Sequence, residues 1–159
     1  MPDTPEHKPE SIVALDFGLR RIGVAVGQQV TDSASPLGVI GNGPNGPDWN
    51  SLERLMAEWR PTRLVVGMPS HADGSPSDLA PAIGEFIDAL RRFGKPIEPV
   101  DENLSSHEAA DLLRRQRAGG KRGRISKEMV DATSAVLIAE RWLRAAREPI
   151  GRENDRRLV

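Results

Sequence analysis

Apolar residues along the chain fall into short blocks set between polar turns. Ile12-Val13-Ala14-Leu15-Asp16-Phe17 is one block, ended by Gly18, and Ile22-Gly23-Val24-Ala25-Val26-Gly27 is the next. Two β-rich runs joined by a short Gly-containing connection predict a hairpin. A third strand over 36–40 completes an antiparallel opening. Residues 41–47 are Gly, Asn and Pro only, and a helix starts after Asp48 or Asn50, where Asn50 and Glu53 have capping-box spacing; it stops before Pro61. Leu64-Val65-Val66-Gly67-Met68 lacks polar alternation, as expected of a strand covered on both faces. Ser75-Pro76 sets a cap residue before Pro at the first helical position, which predicts a helix from there to about residue 93, stopped by Gly94. A fifth strand follows over 96–102, and Ser105 with Glu108 opens a helix to about residue 117. The last helix covers 127–147 with a stripe at Met129, Ala132, Val136, Ala139 and Leu143, whose small members allow close packing on a sheet. The order βββαβαβαα describes an α/β fold in which later crossovers pair in parallel with a central strand. Residues 1–10 are expected to form a disordered lead, 11–147 a single domain, and 148–159 a charged flexible tail.

Composition narrows the class. The chain has 159 residues, 38% of them hydrophobic, with no cysteine, so disulfides, thiol nucleophiles and thiolate metal sites are excluded. No apolar run approaches the ~18–20 residues of a membrane span, and the first ten residues lack the apolar core of a signal peptide. A cytoplasmic protein is expected. Twenty-two basic residues against 23 acidic ones leave a net charge of −1, yet seven cations and no acid lie between positions 114 and 127. These are Arg114, Arg115, Arg117, Lys121, Arg122, Arg124 and Lys127. Such a run is commonly a solvated face; its alternative is a phosphate-binding surface. Tyr is absent and aromatics are 4%, so a nucleic-acid partner would be held through phosphate and shape more than through stacked bases.

Several familiar patterns fail on context. Gly41-Asn42-Gly43-Pro44-Asn45-Gly46 spells the dinucleotide-binding fingerprint, but it follows a third strand, holds a proline, and has Val66 where an acid is required. It is a turn-rich connector. His7, His71 and His107 have no metal-ligand spacing, and no G-x-S-x-G elbow occurs. The carboxylates carry more. Asp16 interrupts an apolar strand, where burying an unpaired charge costs several kcal/mol, so it needs a strand-end position or a cation. Asp101 and Glu102 end the fifth strand and face opposite ways. Asp131 lies one turn inside the last helix. Each also fits a plain structural role: strand end, surface acid, or a charge favoured near a helix N-terminus.

Five segments in order resemble the YqgF (RuvX) family, nucleases for the precursor of small-subunit ribosomal RNA within the RNase H-like superfamily. They are Asp16-Phe17-Gly18-x-x-Arg21-Ile22-Gly23-Val24-Ala25; Pro36-Leu37; Val65-Val66-Gly67-Met68-Pro69 with Asp73-Gly74; Val100-Asp101-Glu102-x-Leu104-Ser105; and Lys127 with Val130-Asp131-x-x-Ser134-Ala135. The resemblance covers about residues 11 to 145. It implies an RNase H-like fold, a five-stranded mixed sheet with helices on both faces. It also implies one shared site of Asp16, Glu102 and Asp131, serving as catalytic residues and as ligands for Mg²⁺ or Mn²⁺, two ions about 3.5–4 Å apart. Crowded carboxylates repel, which raises the pKa of at least one until a cation neutralises them.

The resemblance further implies a metal-dependent endonuclease acting on the 5′ end of precursor small-subunit rRNA in ribosome biogenesis. The basic run from Arg114 to Lys127, with Arg20 and Arg21, would contact the RNA, and the protein would be a monomer or weak dimer. Two rival functions are a Holliday junction resolvase, which cuts branched DNA as a symmetric dimer, and a non-catalytic RNA-binding protein of ribosome assembly or transcription. The chain departs from the family at Asn103, where Arg is usual, and in the polar stretch Ser70-His71-Ala72.

Overall fold

Strand β1 (Ser11–Phe17) has no polar residue between Ile12 and Leu15, and all four of these residues are fully buried. The computed structural model describes residues 9–69, 75, 77–102 and 127–147, with backbone alone at 102, 127–131 and 147. Burial on both faces follows from a central position. β1 pairs antiparallel with β2 (Arg21–Gln28) and parallel with β4 (Arg63–Pro69). β3 (Ser33–Gly41) extends the sheet beyond β2, and β5 (Ile97–Glu102) extends it beyond β4 in parallel. The order across the sheet is β3-β2-β1-β4-β5. This is the mixed five-stranded sheet expected from the chain's pattern.

Alternation divides β1 between two cores. Val13 and Leu15 join Ile22, Val24, Leu64 and Val66 on the face covered by α1 (Trp49–Trp59) and α2 (Ala80–Leu90). Ile12 and Ala14 join Val65 on the opposite face, covered by α3 (Lys127–Arg147). The sheet surface under α3 is shallow along β2, where Gly23, Ala25 and Gly27 alternate. Ala25 packs on Ala135 and Val136. A Cβ at Gly27 would lie 3.5 Å from Ala139 Cβ, so the helix approaches closely because both surfaces are small. Ala132, Val136, Ala139 and Leu143 of the expected stripe are all buried.

Of the two expected starts for α1, Asp48 is the cap: its Oδ1 accepts from the Ser51 N–H at 3.3 Å and its Oδ2 from the Ser51 hydroxyl at 2.8 Å. Two boundaries differ from expectation. β3 begins at Ser33 rather than residue 36, because pairing with β2 runs to Gln28↔Ser33 although those residues are small and polar. A bulge falls between Val24 and Ala25, opposite Pro36 and Gly38, and Gly38 takes φ +129°. α2 starts at Ala80, not at Ser75-Pro76. A helix running from 76 through Pro81 would lose the Pro81 donor and drive its ring into the carbonyl of residue 77. Ser77 instead forms a turn, its Oγ accepting from the Leu79 N–H at 3.0 Å, and Pro81 takes a first-turn position where its missing N–H costs nothing. The expected helix over 105–117, the glycine-containing basic stretch over 119–124, residues 1–8 of the expected lead over 1–10 and the tail from 148 lie outside the described residues. None of the described helices is long and apolar enough to cross a membrane.

Candidate functional site

Asp16 is the last residue but one of β1 and is half-buried. The strand-end position is the first of the two escapes its charge requires. It shares parity with Ile12 and Ala14, which places it on the face covered by α3. Its partner across the antiparallel pair is Gly23. On the other side β1 and β4 are in register up to Leu15↔Val66, so the next level sets Asp16 beside Gly67. Directly opposed positions hold their Cβ atoms about 5 Å apart. Glycine stands on both sides of Asp16, so neither flanking strand contributes a side chain beside its carboxylate. Both glycines fall within family-like segments, but a glycine in a strand reads only as a weak place or a close approach until its neighbours are known.

Glu102 ends β5, paired with Pro69 of β4. The register Gly67↔Val100 places it two residues beyond the level of Asp16, and β4 separates the two strands. That is about 10 Å across the sheet and about 7 Å along it. Its position shares the parity of Glu98, whose Oε1 accepts from Trp142 Nε1 of α3 at 2.9 Å, and of Val100, which packs beneath α3. Positions 16 and 102 therefore share one face of the sheet, toward the C-terminal ends of the parallel strands.

Position 131 approaches the same end by helix geometry. Ala139 lies over Gly27 and Ala135 over Ala25. Four helical residues advance about 6 Å and two strand residues about 6.7 Å, so the steps match. One more turn back along α3 carries position 131 to the level of Gly23, the partner of Asp16. The backbone thus brings 16 and 131 to one level and sets 102 further along. Among the described side chains no three acids or histidines converge, and of the three predicted ligands only Asp16 belongs to that set. The donors at these positions are all carboxylates, the hard oxygen ligands that suit Mg²⁺ or Mn²⁺.

α3 is tied down at its other end. Arg63, at the start of β4, meets Glu10 through Nε–Oε1 at 3.0 Å and Nη2–Oε2 at 3.1 Å, and reaches Glu98 Oε1 at 3.4 Å. Its guanidinium also lies 5.7 Å from the centre of the Trp142 ring. The hydrogen bond from Arg63, more than any other cause, holds the Glu10 carboxyl below its usual range and outweighs burial, which acts the other way. Arg141 of α3 donates through Nη1 to the carbonyl of Asp101 at 2.7 Å, fastening the residue before Glu102 to the helix. These contacts hold β5 and α3 in one relative position.

Of the predicted nucleic-acid contacts, Arg20 is exposed in the β1–β2 turn and Arg21, half-buried, opens β2. Lys127 is the first residue of α3, described by its backbone. Arg114, Arg115, Arg117, Lys121, Arg122 and Arg124 lie outside the described residues.

A family model described as RuvX, Holliday junction resolvase, matches residues 10–145. The chain belongs to the RuvX family. A relative from Sodalis glossinidius (strain morsitans), named "Putative pre-16S rRNA nuclease", is 46% identical over 135 residues, which are 84% of this chain and 93% of the relative. One of the same name from Azotobacter vinelandii is 40% identical over 144 residues, 90% of this chain and 98% of the relative. Among solved structures, the Fowlpox virus resolvase in complex with Holliday junction DNA aligns with a TM-score of 0.56 at 10% identity, covering 86% of this chain and 98% of that one. RuvC of T. thermophilus in complex with a Holliday junction aligns with a TM-score of 0.51 at 19% identity, covering 86% and 94%. At such identities the likeness is one of fold, and this RuvX chain has the RNase H-like fold.

Proposed function

We propose that this RuvX chain is a divalent-metal-dependent endonuclease that processes the 5′ end of precursor small-subunit rRNA, with Asp16, Glu102 and Asp131 as its ligand and catalytic carboxylates. The observation that supports this is the register of α3 on β2, which carries position 131 to the level of Asp16 and Gly23 on one face of the sheet, with glycine at the positions flanking Asp16. Four like-named relatives at 40–46% identity support the substrate class. Asp16, Glu102 and Asp131 would hold Mg²⁺ or Mn²⁺, which when bound would supply Lewis acidity toward a phosphodiester.

The remaining work falls to the chain. Asp16 is held by a strand paired on both sides, so its position is set by the sheet. Glu102, on the more distant strand, is one methylene longer than the aspartates. The small Gly23-Ala25-Gly27 row lets α3 lie close enough to bring Asp131 within range. Arg20, Arg21 and the cations from Arg114 to Lys127 bind the phosphate backbone and hold it along the N-terminal end of α3.

The test is cleavage of a precursor rRNA fragment with Mn²⁺ or Mg²⁺ by wild type, Asp16→Asn, Glu102→Gln and Asp131→Asn, with chelator as control. Loss of at least about 100-fold in each variant is expected, while their RNA affinity persists. Undiminished metal-dependent cleavage by all three removes the assignment. A four-way DNA junction run alongside separates the second reading, junction resolution, which the family's description favours. Paired symmetric nicks by a dimer would establish it, whereas a monomer that cuts RNA alone excludes it. RNA binding without cleavage by the wild-type protein would instead indicate a non-catalytic assembly factor.

A further inference from the structure

The connector over 41–48, which spells a nucleotide fingerprint without its context, is bonded to the turn beside Asp16. Asn42 grips that turn twice. Its backbone N–H donates to the Arg20 carbonyl at 2.9 Å, extending the β2–β3 ladder by one bond. Its side-chain Nδ2 donates to the Gly18 carbonyl at 2.7 Å, across 24 residues of chain. The Asn42 Oδ1 accepts from the Gly43 N–H at 3.0 Å, which orients the amide. The connector is itself closed, with the Asp48 N–H donating to the Gly41 carbonyl at 3.0 Å and the Gly46 N–H to the Gly43 carbonyl at 2.8 Å. The turn it grips is tight: a Cβ at Gly18 would lie 2.7 Å from the Arg21 carbonyl oxygen.

What this rigid turn displays is unusual for a mere connection. Gly18 is two residues past Asp16, and the turn presents Leu19, 64% exposed, and exposed Arg20. An arginine on a mobile turn loses freedom when it captures a phosphate; one on a turn already ordered loses less, and the difference appears as affinity. A neutral amide that orders the backbone does this without adding a charge.

We propose that Asn42 is a positioning residue for nucleic acid: by holding the carbonyls of Gly18 and Arg20 it presents Arg20 to a phosphate of a strand bound at Asp16. This rests on the nuclease assignment above and deepens it. Asn42 touches no reacting atom and acts through Arg20.

The experiment compares wild type with Asn42→Ala, Asn42→Asp, Arg20→Ala and the Asn42→Ala/Arg20→Ala double variant. Two quantities are read: trypsin nicking at Arg20 and Arg21 of the protein alone, and the Kd for a fluorescent RNA hairpin spanning the precursor's 5′ leader junction, without divalent metal. Asn42→Ala should raise nicking several-fold and raise Kd about 5-fold, the net loss of one hydrogen bond. Asn42→Asp should do at least as much, since it sets a carboxylate oxygen against the Gly18 carbonyl. The double variant should bind as Arg20→Ala does, because the amide's effect passes through that side chain. Unchanged nicking in both Asn42 variants overturns the proposal, because the amide then does not hold the turn. Raised nicking with fully multiplicative Kd effects also overturns it, leaving Asn42 a structural role. Wild type without RNA affinity removes the nuclease assignment and this inference together; wild-type affinity indifferent to Asn42 removes this inference alone.

Discussion

Gly27→Val drives side-chain volume between the sheet and α3. A Cβ on Gly27 meets Ile12 Cγ1 at 3.0 Å, Ile12 Cδ1 at 3.3 Å and Ala139 Cβ at 3.5 Å. Ile12 and Ala139 are both fully buried, so each retreats only by pressing on packed neighbours. Alanine asks Ile12 to yield by a few tenths of an ångström; valine adds two methyl groups to the same gap. Overpacking of this kind costs about 1–3 kcal/mol, and the gain from removing a strand glycine returns about 0.5–1 kcal/mol. A net loss of about 1–2 kcal/mol lowers the melting midpoint of a domain this size by about 2–8 °C. Gly27→Ala should be near neutral. The effect on cleavage should be larger than the effect on stability. The strain is relieved by lifting α3, the helix that carries position 131, and a misplacement of about 1 Å near reacting groups costs up to about 100-fold in rate. Metal-dependent RNA cleavage, assayed well below the midpoint with circular dichroism confirming the fold, should fall about 10–100-fold in Gly27→Val. Wild-type melting together with wild-type cleavage would refute the seating of α3 on Gly27, and with it the step that carries position 131 to the level of Asp16.

Three further outcomes are expected. The Glu10 carboxyl is depressed in the folded protein, so its contribution is present above the unfolded value and disappears as pH falls through the folded one. Urea midpoints taken from about pH 7 down to about pH 3 should therefore show a steeper acid loss in wild type than in Glu10→Gln. Gly18→Ala puts a Cβ against a backbone oxygen that cannot swing aside, and should cost about 2 kcal/mol in urea unfolding. RNA affinity should fall steeply with salt, and replacing Arg115 and Arg117 by Ala should flatten the log Kd against log salt slope by about 1.5; an unchanged slope would mark that stretch as a solvated face.

Local pattern sufficed for much of this molecule, because burial on a strand or helix leaves a period that a reader of the chain can find. The apolar run at Leu64 to Met68 announces a strand buried on both faces, and the small stripe of α3 announces close packing on a sheet. α2 starts at Ala80 and not at Ser75-Pro76 because the steric conflict at Pro81 outranks the cap signal there. The acids show where residue-by-residue inference ends. Alternation states which neighbours Asp16 shares a face with, but not which face α3 will cover, nor that Gly23 and Gly67 will stand on either side of it. Those facts depend on strand order and register, which are chosen by the packing of two cores at once. Asn42 makes the same point from further away: its amide and the Gly18 carbonyl are 24 residues apart, and no periodicity links them until the sheet folds. Short-range chemistry wrote the elements into the chain, while the placing of positions 16 and 131 at one level, with 102 further along the same face, arises from long-range pairing that no local signal encodes.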